Sequence, residues 1–306
     1  MDNQFNKAKS FGEILDQTFR LSKNHFSVFF LVFLILLGPF ILLEALVQLS
    51  YGASFFQAGD TGAPWYERMF SGLGLDEVEG EMTNLAQDAW VSIIGLISFI
   101  FYPVAQAAII IGVFSLRSQK EFTAGTLIKK AFSRFWGILG SSILYYLIMF
   151  GIFVVPFIVV LVIGIFGVVA IDNAFIGVLM MILFVIGFFV AIGYLLIRWS
   201  MYLGVVVIDN EAPGIGRSWN LTRGNGWRIL GLFIVITIIT LMVSTAIEFT
   251  LAFLLGYSVL TSMILSIVSL FVTMVISVAM AIIFFDLKVR NDADDLKTMI
   301  DDYKTE

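Results

Sequence analysis

The run FSVFFLVFLILLGPFILLEALVQL, from Phe26 to Leu49, decides the fold. It holds one charged residue, Glu44. A helix rises about 1.5 Å per residue, so this length crosses the ~30 Å apolar core of a bilayer. Five further runs read the same way: 90–114, 138–167, 175–197, 229–253 and 261–285. Composition agrees. Of 306 residues, 59% are hydrophobic and 13% charged, against roughly 45–50% and 25% in soluble domains. That balance excludes a disordered chain, a nucleic-acid binder and an ordinary soluble enzyme.

The expected fold is therefore an all-α membrane protein, with six transmembrane helices arranged as three hairpins. We read residues 1–306 as one polytopic domain with a cytoplasmic amphipathic segment 1–25, an external acidic loop 50–89 and a cytoplasmic acidic tail 286–306. The start does not read as a cleavable signal, because about 25 polar and amphipathic residues precede the first apolar run and no small-residue cleavage site follows.

Lys and Arg assign the sides. Seventeen of the 18 fall on alternate segments: Lys7 to Lys23, Arg117 to Arg134, Arg198 to Arg228, and Lys288 to Lys304. Only Arg68 lies in the 50–89 loop. The positive-inside rule then predicts a multi-pass protein of the cell membrane with both termini cytoplasmic. Trp90, Trp136, Trp199 and Trp227 sit at span boundaries, where amphipathic rings favour the headgroup zone. Pro156 predicts a kink in the long third span, and Asp172-Asn173 a turn after it.

An internal repeat underlies the spans. Thr18-Phe19-Arg20-Leu21-Ser22-Lys23 matches Ser218-Trp219-Asn220-Leu221-Thr222-Arg223 in order of hydroxyl, aromatic, Leu, hydroxyl and cation. Gly125–Phe132 is a looser copy of Gly12–Phe19. Each copy precedes span one, three or five. Phe11, Ile14, Leu15, Thr18 and Phe19 share one helix face, as do Leu127, Ile128, Ala131, Phe132, Phe135 and Trp136. The predicted unit is an interfacial amphipathic helix followed by a transmembrane hairpin. Lys129, Lys130 and Arg134 would face anionic lipid from the second of these helices.

Arg198-Trp199-Ser200, Val206–Pro213, and Arg217-Ser218-Trp219-Asn220-Leu221-Thr222-Arg223-Gly224 with Trp227-Arg228 resemble a pattern in the glycerophosphoryl diester phosphodiesterase membrane-domain family of bacterial integral membrane proteins. Ser10–Asp16 is similar too. The resemblance implies a helical membrane domain in a bacterial cell membrane, and Arg198, Asp209, Arg217, Trp219 and Arg223 as its cytoplasmic motif. The family's hydrolase chemistry resides in a separate soluble barrel. The 306 residues hold no such barrel, so no phosphodiesterase activity carries over.

Cysteine is absent, which excludes thiolate catalysis and thiolate metal sites. A lone His25 cannot build a histidine metal cluster. The acids of the 50–89 loop lack calcium-loop spacing; they read as a solvated face, with two short helices expected there. No catalytic, cofactor or metal motif is present. What remains is polar residues inside spans. Glu44 and Glu248 lie toward the external ends of spans one and five, reaching for headgroups, lining a vestibule for a cation, proton or cationic substrate, or pairing with polar groups of neighbouring helices. Gln106, mid-span, needs a hydrogen-bond partner. Ser262, Ser266, Ser269, Thr273 and Ser277 form a stripe on span six that suits close packing or a polar path, which Thr237, Thr240 and Ser244 would face. Arg198 is expected to anchor the inner boundary or to pair with Asp209 or Glu211. The expected function is non-enzymatic: a membrane scaffold or accessory subunit that organises lipids, anionic ones included, or other membrane or cytoplasmic proteins, without nucleic acid. The alternative is a transporter of a small or amphiphilic solute.

Overall fold

A computed structural model describes residues 8–56, 85–170, 174–256 and 258–305. Among these residues the regular structure is helical throughout. Six helices are long and apolar enough to cross a membrane: α2 (Phe26–Ser50), α3 (Leu85–Arg117), α5 (Phe135–Ala170), α6 (Ala174–Trp199), α8 (Gly226–Leu255) and α9 (Val259–Thr305). Three short helices precede the first, third and fifth of them: α1 (Phe11–Asn24), α4 (Ala124–Phe132) and α7 (Ile215–Leu221). The chain is an all-α membrane protein. Leu46, Leu96, Leu147, Phe189 and Leu241 are each more than half exposed on the spans. Such side chains suit helices solvated by lipid, whose backbone groups are already paired within the helix.

The chain divides into two compact units. One comprises Gly12–Ser133 and Ile234–Ala281. Here α2 packs along α3, and α4 sits against both. Gly112 permits this: a Cβ there would lie 2.8 Å from Phe29 of α2 and 3.1 Å from Leu127 of α4. Thr123 caps α4 through a reciprocal capping box with Thr126, which satisfies backbone donors that a helix start leaves open. Beyond α2, the Ser54 and Phe55 carbonyls accept hydrogen bonds from the Val259 and Leu260 amides, each at 3.2 Å.

The other unit comprises residues 1–11, 134–233 and 282–306. In it α5 packs on α6, and α7 packs under the end of α6. Between α6 and α7 the chain makes one helical turn, Tyr202–Gly204, and a π turn, Val205–Asp209, which Asn210 ends in the left-handed conformation. Tyr202 stacks on Tyr145 at 4.6 Å and its hydroxyl lies 3.1 Å from that of Ser142.

Several expectations need adjustment. Leu127 and Ala131 of α4 are buried in protein, so the centre of its apolar face is not offered to lipid. The helix face expected to run from Leu127 to Trp136 is divided: α4 ends at Phe132 and α5 begins at Phe135. On α1 the buried seam is Ile14, Gln17, Thr18, Leu21 and Ser22, whereas Phe11 and Phe19 lie exposed at its edges. Helix α5 continues unbroken through Pro156. The Asp172-Asn173 turn lies outside the described residues, as does most of the 50–89 loop with its expected short helices; residues 85–89 are the first turn of α3.

Candidate functional site

Two clefts open in the first unit. One, of about 150 Å³, is lined by Glu44 of α2, Ser98 and Tyr102 of α3, and Ser266 and Ser269 of α9, with Leu37, Phe40 and Leu270 as apolar floor. The second, of about 260 Å³, is lined by Ser244 and Glu248 of α8 and by Leu265, Val268, Ser269 and Val272 of α9. Ser269 is common to both. The serine stripe of α9 thus runs beside one carboxylate in each cleft.

Helical spacing explains the placement. Glu44 lies six residues before the end of α2 and Glu248 seven before the end of α8, about 9–10 Å in from those ends. Each carboxylate therefore sits below the basic-poor ends of its helix while still reaching an open cleft. Glu44 is only loosely held: the Gln48 amide donates to it at 3.5 Å, the limit of a hydrogen bond. Gln48 in turn accepts from the Ser262 hydroxyl at 3.2 Å. Among the described residues, no three His, Asp or Glu side chains are placed to hold a metal ion.

Not every expected residue joins these clefts. Thr273 donates to the Ser269 carbonyl and Ser277 to the Thr273 carbonyl, at 2.8 and 2.6 Å. Each hydroxyl donates within its own helix, and neither residue lines the two clefts. Thr240 likewise donates to Ile236. Gln106, half-buried on α3, hydrogen-bonds to no described residue, so the partner it was expected to need is not found among them.

The second unit concentrates its polar groups where the basic residues cluster. Asp286, 2% exposed, accepts from Arg228 at 3.0 Å and Arg290 at 2.9 Å. It also accepts from the Lys9 backbone amide at 2.6 Å. The Lys9 carbonyl accepts from both guanidinium groups, that of Arg290 at 2.8 Å. The backbone of one residue, Lys9, is thus held through both its N–H and its C=O by three charged side chains. Nearby, Lys288 pairs with Asp209, Arg134 donates to the Val207 carbonyl, and Asn291 donates to the Leu221 carbonyl at 3.4 Å. The Ser218 and Thr222 hydroxyls donate to the Arg198 carbonyl at 3.0 and 3.2 Å.

This latch changes several assignments. Asp209 belongs to Lys288, so Arg198 pairs with neither Asp209 nor Glu211; its guanidinium lies 4.1 Å from the centre of the Trp219 ring. Arg134 is committed to protein, whereas Lys129 and Lys130 stay exposed. Arg217 and Arg223 are exposed as well. Asp286, Arg228, Arg290 and Lys9 were not among the residues expected to matter. The available signal was an acid abutting the apolar run that ends at Phe285.

Set against protein-family models, curated proteins and solved structures, the chain matches none.

Proposed function

We propose that this protein is a non-enzymatic membrane scaffold or accessory subunit of a bacterial cell membrane, with both termini cytoplasmic. The likeness to the phosphodiesterase membrane-domain family is part of that proposal and contributes only the helical membrane domain. The observation that carries the reading is the latch. Around Asp286, the Arg228 and Arg290 side chains are spent on holding the Lys9 backbone in place. The segment that carries exposed Arg217 and Arg223 is fixed as well, by Ser218 and Thr222 on the Arg198 carbonyl and by Asn291 on the Leu221 carbonyl. Cations on a fixed segment can meet an acidic partner without a large loss of chain entropy, which is the gain from preorganisation. Exposed Lys129 and Lys130 on α4 would add attraction to anionic lipid.

The clefts favour a second reading, passage of a small cation or cationic amphiphile past Glu44, Ser269 and Glu248. Two double variants separate the readings in a cell-based phenotype assay with protein abundance measured. The scaffold reading expects Arg217→Ala with Arg223→Ala to abolish the phenotype, and Glu44→Gln with Glu248→Gln to leave it intact. The reverse pattern assigns transport and removes the scaffold.

A further inference from the structure

Arg198 is the next-to-last residue of α6 and only 5% exposed. Its Nε is buried with no hydrogen-bond partner. Its terminal nitrogens donate to no described residue either, although a guanidinium carries five donors. A buried cation without a counter-charge is costly, by several kcal/mol. The described acids of this unit do not supply one: Asp209 is paired with Lys288, Asp286 with Arg228 and Arg290, and Glu211 makes no ion pair with Arg198. What surrounds Arg198 is aromatic. Trp219 covers one face at 4.1 Å and Tyr194 lies at 6.0 Å. A ring face attracts the charge but offers no lone pair for the N–H groups. The backbone is fixed at the same point, since Ser218 and Thr222 both bond the Arg198 carbonyl. The side chain is therefore positioned, its Nε is closed off without a partner, and the guanidinium is short of an acceptor.

We propose that Arg198 is the anchor of a phosphate-binding site, filled from outside the chain by a phospholipid headgroup or by a soluble phosphate. A planar fork matches a phosphate oxygen pair through two parallel N–H bonds, and stacking on Trp219 holds that plane. The depth suits a lipid. Arg198 ends a span beside Trp199, and Trp227, which packs on Tyr194 at 5.4 Å, is 66% exposed. Aromatic residues so placed mark the headgroup zone. Helix α8 comes against the same ring: a Cβ on Gly226 would lie 2.8 Å from Tyr194. The site holds whether the protein is a scaffold or a transporter.

The test uses the full-length protein in nonionic detergent, titrated with dihexanoyl phosphatidylglycerol and separately with inorganic phosphate while thermal unfolding is followed. The lipid analogue is expected to raise the melting temperature of the wild type. Arg198→Lys keeps the charge but loses the fork and the stack, and should weaken the apparent affinity about tenfold. Arg198→Gln should abolish it, and the decision stays with Arg198→Lys if the Gln variant does not fold. Lys120→Gln, which removes an exposed cation elsewhere, should respond as the wild type does. An equal response to inorganic phosphate supports the site and assigns it to a soluble phosphate rather than a lipid. No response of the wild type to either ligand, or an Arg198→Lys variant with unchanged affinity, overturns the proposal.

Discussion

Asp286 accepts from two guanidinium groups and a backbone amide, whereas Glu44 touches one Gln48 amide at the limit of hydrogen-bonding distance. Both are carboxylates on helices made mostly of apolar residues. The first is buried and fully engaged; the second faces an open cleft. The same contrast runs through their units. Around Asp286, charged side chains fasten backbone. Around Glu44, Glu248 and Ser269, polar atoms stand in clefts with capacity to spare. A polar group already holding structure has little left for a ligand, so the first set reads as architecture and the second as the place where chemistry from outside can enter.

The largest break in this comparison is Asp286→Asn. It removes the negative charge from between Arg228 and Arg290 and weakens the hold on the Lys9 peptide. Truncating one member of a buried ion-paired group costs about 3–5 kcal/mol. We expect a large drop in the midpoint of chemical unfolding, or loss of the protein from membranes. A variant that melts within a degree or so of the wild type would show that the latch is not under load.

Paired glycines give the next effect. A Cβ on Gly204 would lie 2.7 Å from Phe284 ring atoms, and Phe284 is itself buried. Gly204→Ala should cost about 1–3 kcal/mol through overpacking. Gly95, in the Glu44 cleft, has nothing within 4 Å of a Cβ. Gly95→Ala should instead stabilise α3 by roughly 0.5–1 kcal/mol. Unfolding midpoints of the two variants should move in opposite directions, and a shared direction would erase the distinction between a packed unit and an open cleft.

Most of the fold was legible in the sequence, because spans need only length and apolarity, and α2 matches its expected start and end within one residue. The short helices before spans one and three were legible from their periodicity, and the one before span five from its match to Thr18–Lys23. Their partners were not: periodicity says that Leu127 and Ala131 share a face, but lipid and protein are equally apolar neighbours. Glu44, Glu248 and Ser269 could be named because a charge or hydroxyl in an apolar run stands out. Asp286 could not, since it follows Phe285 at the edge of the last run and is succeeded by charged residues, so it reads as tail. Only Arg290 is close in the chain, four residues on; Arg228 and Lys9 lie 58 and 277 positions away, and no local pattern reports such pairings.

A smaller expectation sharpens the cleft side. Glu44→Gln and Glu248→Gln each remove a charge that holds little structure, so each should change stability by no more than about 0.5 kcal/mol. Denaturant curves that shift by several times this amount would mean that these carboxylates hold structure as Asp286 does.

The smallest effect concerns His25, between α1 and α2. Its ring lies 5.8 Å from that of Phe122 and 5.9 Å from that of Phe29, and burial lowers its pKa below the usual 6.5. The folded chain therefore takes up this proton at lower pH than the unfolded chain. The stability contributed is complete above the unfolded value and is lost as pH falls through that value toward the folded one. Melting temperatures from about pH 7.5 to pH 5.5 should show a shallow decline that His25→Gln makes flatter. An identical decline in the variant would place the titrating group elsewhere.

The Lys9 peptide has a consequence for biosynthesis. A ribosome adds roughly 5–20 residues per second, and the groups that seat Lys9 are Arg228, Asp286 and Arg290. Lys9 therefore emerges well over ten seconds before Asp286 exists. Throughout insertion of the spans between them, that peptide has no seat. Any chain that stops short of residue 286 leaves it loose, and only a chain that has passed Arg290 can fasten it. Seating of Lys9 therefore reports that the chain has been made through Arg290.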